Sequence, residues 1–184
     1  MLIRLFLVFV MLGSGQAFAE SNLWRLLEKG GQVMVMRHTS TESGIGDPPG
    51  FRLGDCATQR NLSEAGRIEA REVGAAFARR GIILERVLSS EWCRCLETAE
   101  LAFGKTQPWE PANSFFDNPS ERLARTEAMR QRVADFRGPS NLMIVTHQVN
   151  IQALAGVNTA MSEIVVLTPD LNGGFKFAGK LRLN

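Results

Sequence analysis

Two histidines, His38 and His147, are the only ones among the 184 residues. Each follows an apolar run directly: residues 33–36 lead into Arg37-His38-Thr39, and residues 142–145 lead into Thr146-His147. A third run, 86–89, leads into Ser90, with Arg94 one helical turn further on. Arginine offers a planar fork of donors suited to bidentate phosphate binding. Arg94 would also stand in the first turns of a helix, where the dipole favours an anion. An imidazole with one nitrogen held by a backbone carbonyl presents the other as a nucleophile. A second imidazole beside it can donate to a phosphoryl oxygen. The sum is a phosphate pocket with a nucleophile in its floor. Taken singly, each residue has a plainer reading: a structural strand-end histidine, a surface ion pair, a helix-surface charge.

The elements that must position this set can be read from periodicity and punctuation. Apolar runs at 33–36, 142–145 and 164–167 read as strands, the first two buried on both faces, and Arg86-Val87-Leu88-Ser89 reads as another. Helices are expected at 22–30, 64–80, 91–103, 119–136 and 148–155. Ser63 caps the second, with Ala65, Ile68, Val73, Ala76 and Phe77 turned inward, and Gly81 and Gly104 act as stops. Asn118-Pro119-Ser120-Glu121 reads as a helix start, with Asn118 as cap and Glu121 closing a capping box. Its arginines, Arg122, Arg125, Arg130 and Arg132, suggest a solvated face. Residues 39–61 are rich in Gly, Pro, Asp and Ser and too long for a plain connector. A final alternating edge strand starts at Phe175. This order predicts an α/β fold, a three-layer α/β/α sandwich over a mostly parallel sheet. Ligands of such sheets bind at the carboxyl ends of the strands, where these residues fall.

Arg37-His38-Thr39, Leu62-Ser63 with Gly66, Ser89-Ser90 with Arg94-Cys95 and Thr98-Ala99, and Val145-Thr146-His147 together resemble the histidine phosphatase superfamily, also called phosphoglycerate mutase-like. The resemblance spans about Gln32 to Leu167. It implies that His38 attacks a phosphoryl group to form a phosphohistidine, while Arg37, Arg94 and His147 hold the equatorial oxygens. It also implies a carboxylic acid that protonates the leaving alcohol and then activates water, with no metal and no cofactor. Asp117, on a loop before a helix, is the first candidate for that acid; Glu121 and Glu91 are the alternatives. Thr39 stands where the family usually has glycine. Its N–H and hydroxyl could still serve the phosphate, in a pocket of altered shape.

Composition narrows the rest. Lys+Arg is 21 against 19 Asp+Glu, a net charge of +2, which is too balanced for a chain whose task is to grip nucleic acid. Residues 1–19 follow the grammar of a secretory signal peptide: Arg4, an apolar run from Leu5 to Leu12, and Ala17-Phe18-Ala19 before the cut. The expectation is cleavage after Ala19, a single domain over 20–184, a periplasmic or secreted address, and no lasting membrane insertion. Three cysteines allow one disulfide at most. Cys93 and Cys95 stand two apart on a helix and point apart, so Cys56 and Cys93 are the candidate pair, with three free thiols as the alternative. The leading expectation is an exported phosphomonoesterase acting on a small phosphorylated substrate or a phosphorylated envelope sugar. A non-catalytic phosphate-binding module is the second reading. A periplasmic metal-binding protein using the imidazoles and thiols is the third, opposed by the neighbouring arginines.

Overall fold

Strands that are apolar on both faces need cover on both sides. The computed structural model, which describes residues 13–170 and 172–183, provides it. Strands β1 (Val33–Arg37), β2 (Leu84–Ser89), β3 (Gln107–Pro108), β4 (Asn141–Thr146), β5 (Ile164–Pro169) and β6 (Phe175–Leu181) join in the order β3-β2-β4-β1-β5-β6. The first four in that order run parallel; β5 is antiparallel to both β1 and β6. The helices are α1 (Gly13–Lys29), α2 (Glu64–Arg79), α3 (Cys93–Phe103), α4 (Arg122–Ala134) and α5 (Gln148–Ala155).

Alternate residues of each strand feed two separate cores. Met34, Met36, Met143 and Val145 pack with Leu27, Val73, Phe77 and Ala99 of α1, α2 and α3. Val33, Val35, Leu142 and Ile144 pack with Met129, Val133, Ile151 and Leu154 of α4 and α5. The architecture is therefore a three-layer α/β/α sandwich over a mostly parallel sheet.

The helix ends follow the sequence punctuation. Ser63 Oγ accepts the Gly66 N–H at 3.1 Å, and Gly104 ends α3 in the left-handed conformation at φ 63°. The inward face of α2 differs from the periodicity reading: Ala65 and Ile68 are exposed, and Gly66, Ala70, Val73, Ala76 and Phe77 are buried. The cause lies at Gly66. A Cβ there would come within 1.8 Å of the Ser40 carbonyl oxygen, so only glycine lets α2 lie against the loop that follows His38. That contact sets the rotation of the helix.

The start of α4 also differs. Asn118 does not cap it, because its side-chain oxygen accepts from Ser120 Oγ, and residues Pro119–Glu121 form one tight turn before the helix begins at Arg122. The arginine face of α4 is not wholly solvated either. Arg125 is drawn in to Ser114 O at 2.7 Å and to Glu110.

Residues 1–12 of the expected leader lie outside the described residues. Helix α1 runs through Ala19 without a break, and Leu23, Trp24 and Leu27, beyond the expected cut, pack into the core. Among the described residues no helix is long and apolar enough to cross a membrane.

Candidate active site

Sheet register brings the chemistry together. Strand β4 lies between β2 and β1, with Thr146 paired to Arg37 and Val145 to Ser89. The next residues on the three strands, Ser90, His147 and His38, therefore stand side by side. The ladder carries on one step past the strands: His38 N–H donates to Thr146 O and Ser90 N–H to Val145 O. Helix α3 then places Arg94, its second residue, against His147. A pocket of about 270 Å³ opens here, lined by Arg37, His38, Arg94, His147 and Asp117 among others.

His38 is 3% exposed. Its Nδ1 lies 2.9 Å from its neighbour's carbonyl, Thr39 O, and a carbonyl can only accept. The proton is therefore on Nδ1, and Nε2 keeps its lone pair. Burial, followed by the charge of Arg94, pushes the ring pKa down to about 3. A neutral imidazole with a free Nε2 is the form a nucleophile needs.

His147 is held in the complementary way. Its Nδ1 faces Arg94 Nη2 at 3.5 Å, a group that only donates. Its Nε2 stands 2.8 Å from Ser90 Oγ. Ser90 in turn donates to Asn113 Oδ1 at 3.2 Å, and Asn113 Nδ2 donates to Glu91 at 2.7 Å. Every step of this chain agrees that the proton of the neutral ring is on Nε2. Burial, then Arg94, holds this ring well below its ordinary pKa too. Glu91, one of the alternative acids, is thus engaged at the far end of a network that orients His147. Neither Glu91 nor Glu121 lines the pocket.

The long 39–61 loop supplies two residues that strand-end reasoning did not single out. Asp47 is a buried carboxylate whose oxygens take Arg94 Nη1 at 2.8 and 3.0 Å, Trp92 Nε1 at 3.0 Å and the Arg60 backbone N–H at 2.9 Å. Burial works to raise its pKa, but the bonds from Arg94, Arg60 and Trp92 outweigh it and hold the carboxyl below its ordinary value. Arg60 donates to Gly46 O, Gly44 O and Thr41 Oγ1, acting as a post around which the loop is wound. It also lines the pocket. Arg37 gives Nη1 to Thr159 O at 2.8 Å, and its Nε, like that of Arg94, is buried without a partner. Burial and the neighbouring guanidinium groups lower the pKa of Arg37 and of Arg60. Such a crowd of cations is what an incoming anion relieves.

Thr39 is not brought to the pocket. Its N–H donates to Thr98 Oγ1 at 3.2 Å, its hydroxyl is 3.1 Å from the same oxygen, and it is fully buried. Asp117 is at the pocket, exposed at its wall. The disulfide joins Cys56 and Cys93 (S–S 2.04 Å), tying the long loop to the residue before Arg94, and Cys95 is a buried free thiol. Among the described residues no group of three His, Cys, Asp or Glu side chains is placed to hold a metal ion.

The depressed histidines make stability depend on pH. In the unfolded chain they take a proton near pH 6.5, whereas folded His38 resists until about pH 3. The stability tied to His38 is complete above pH 6.5 and is lost as pH falls towards 3, about 2 kcal/mol of it by pH 5. His147 adds to the loss in the same direction. The urea midpoint should drop clearly between pH 8 and pH 5, and by less in His38→Ala; equal midpoints at both pH values would refute this.

No family model and no curated protein matches the chain. Solved structures do. The protein histidine phosphatase SixA complexed with tungstate aligns at 18% identity, over 82% of this chain and 96% of its own, with a TM-score of 0.56. Bacillus stearothermophilus YhfR aligns at 17% identity, over 80% and 95%, with a TM-score of 0.59. A phosphoserine phosphatase mutant from Entamoeba histolytica, in complex with phosphoserine, aligns at 14% identity, over 81% and 95%, with a TM-score of 0.58. The chain has the phosphoglycerate mutase-like α/β fold of these neighbours.

Proposed function

We propose that this protein is an exported phosphatase that hydrolyses phosphate monoesters through a phosphohistidine on His38. The observation that carries the reading is the tautomer of His38: Nδ1–H fixed on Thr39 O, Nε2 free, on the floor of a pocket with three guanidinium groups. With Asp117 as the protonated acid, three guanidinium cations against the Asp47 carboxylate leave two positive charges. A phosphate monoester near pH 7 carries close to two negative charges. A diester carries one and would leave the cations undercompensated.

His38 Nε2 attacks phosphorus in line, the P–O bond to the alcohol breaks, and the phosphoryl group passes to the ring. Arg37, Arg60 and Arg94 balance the charge on the equatorial oxygens. The arriving dianion also favours protonation of His147, which then donates from Nδ1 while Nε2–H stays on Ser90. Asp117 gives its proton to the leaving oxygen. As carboxylate it then takes a proton from water, which attacks the phosphohistidine and releases inorganic phosphate with His38 restored. The guanidinium groups supply the positive charge, so these steps call for no metal ion.

Export rests on the leader sequence at 1–19 and is in keeping with a disulfide, which an oxidising compartment preserves. Sequencing the amino terminus of the protein recovered from the periplasm or medium tests it; the expected first residue is Glu20.

The test of the activity is hydrolysis of a generic aryl phosphate in EDTA, with vanadate as inhibitor. Turnover should persist in the chelator. No turnover above a His38→Ala control on a broad ester panel would favour the phosphate-binding module instead. The acid has its own test. Asp117→Asn should slow esters of alkyl alcohols by about 10²- to 10⁴-fold and nitrophenyl phosphate far less, since only the poor leaving group needs a proton. Equal slowing of both would move the role to another carboxylate.

A further inference from the structure

The pocket changes character from floor to mouth. The floor holds the imidazoles and guanidinium groups. The mouth is formed by Ile45, Phe116, Val149 and Met161, with the polar side chains of Asp117 and Gln148 beside them. Ile45 is 92% exposed and Phe116 is 53% exposed, so two large apolar side chains that line the pocket stand in solvent. Single exposed apolar residues need no explanation, but two that flank one opening do. Gly44 and Gly46, both at positive φ, flank Ile45, and a Cβ at Gly46 would meet the edge of the Phe116 ring at 3.8 Å. From Phe116, Gln148 and Val149 the mouth continues into a groove of about 470 Å³ along the start of α5.

In-line attack says what must pass through this mouth. With His38 Nε2 beneath the phosphorus, the bond that breaks points away from the floor. The alcohol therefore leaves through the mouth, past the exposed Ile45 and Phe116. Resting on the phosphatase reading above, we infer that the preferred substrate is a phosphate monoester of an apolar alcohol, alkyl or aryl, whose body is gripped by Ile45, Phe116, Val149 and Met161. Among Ile45, Phe116, Val149 and Met161 no side-chain cation stands ready for a second anionic group on the substrate; the nearest along the groove is Arg122, on its wall.

Two ligand series separate this inference from the reading it rests on. The first is equilibrium binding of ethyl- and hexylphosphonate, which cannot be hydrolysed, measured by calorimetry on the full protein. Hexylphosphonate should bind about tenfold tighter or more, less than half of what full burial of four methylenes would give. In Ile45→Ser/Phe116→Ala the ratio should fall to about threefold or less. The second series is turnover of ethyl and hexyl phosphate, whose alcohols are similarly poor leaving groups; kcat/KM should follow the binding ratio. Equal binding of the two phosphonates, or a ratio that survives in the double variant, overturns the inference. Turnover absent for both esters, with the phosphonate ratio intact, overturns the phosphatase reading and leaves the apolar mouth standing. Failure of both phosphonates to bind overturns both.

Discussion

His38→Ala should reduce turnover of any phosphate ester by on the order of 10⁵-fold, the scale on which covalent enzymes lose activity with their nucleophile. The size follows from the geometry. No second group can take over: His147 Nε2 is committed to Ser90 and its Nδ1 to Arg94, and the buried Cys95 thiol is pushed up to about 12. Binding should survive better than turnover. Arg37, Arg60 and Arg94 remain, and removing a buried neutral ring takes away no positive charge. The expected pattern is a collapse in kcat with phosphate or vanadate still binding within about tenfold, the signature of a group needed in the transition state more than in the ground state. Rapid quench of the native protein with a labelled ester should trap an acid-labile, base-stable phosphoryl adduct that the variant lacks. A kcat that falls less than about tenfold, or an adduct that persists in the variant, would remove His38 from the role.

The parts of this site that were legible in the sequence are those fixed by strand register. Unbroken apolar runs leave few choices for a strand buried on both faces, and the residue after such a strand falls at the carboxyl edge of the sheet. His38, Ser90 and His147 could be placed together on that ground, and Arg94 followed from the helix after Ser90. What could not be read depends on long-range contacts of a loop without periodicity. Asp47 sits in a Gly- and Pro-rich stretch, and only its distance from Arg94 in space shows that it neutralises one of three cations. Arg60 is in the same position, since its partners are backbone carbonyls and the Thr41 hydroxyl, 14 to 19 residues away. A carboxylate and an arginine in a loop too long for a connector were the available signals, but neither named a partner.

Thr39 and α2 show a second limit. The residue after a nucleophile invites a phosphate-binding role, yet the backbone turn after His38 aims the Thr39 N–H at Thr98 on α3. Periodicity gave α2 the right length and cap but set its inward face slightly askew. The approach of Gly66 to Ser40, a contact across 26 residues, decided the rotation. In both places a tertiary contact overrode a local signal that was correct in kind.

Breaking the Cys56–Cys93 bridge should cost about 4 kcal/mol of stability, the loop-closure entropy of a 37-residue span released to the unfolded chain. At an ordinary urea slope this is a fall of about 2 M in the midpoint. Cys56→Ser/Cys93→Ser is the suitable variant, because Cys56 is exposed and its replacement opens no cavity. The folded site should change far less than the stability. With the bridge gone, Asp47 still grips Arg94 and Trp92, Arg94 still reaches Arg60 O, and Gln59 Oε1 still accepts the Cys93 N–H at 3.0 Å. Those bonds hold the loop over the pocket independently of the sulfurs. Vanadate inhibition of the folded variant should therefore stay within about tenfold of the native value while its urea midpoint drops. The same logic separates two roles for the bridge. A large loss of vanadate affinity with an unchanged midpoint would mean that the disulfide positions Arg94 directly. An unchanged midpoint and one unchanged inhibition constant, together with three titratable thiols in the unfolded native protein, would mean that no bridge forms. The outcome expected from the structure is one thiol, that of Cys95, and a chain that needs its disulfide to stay folded more than to bind phosphate.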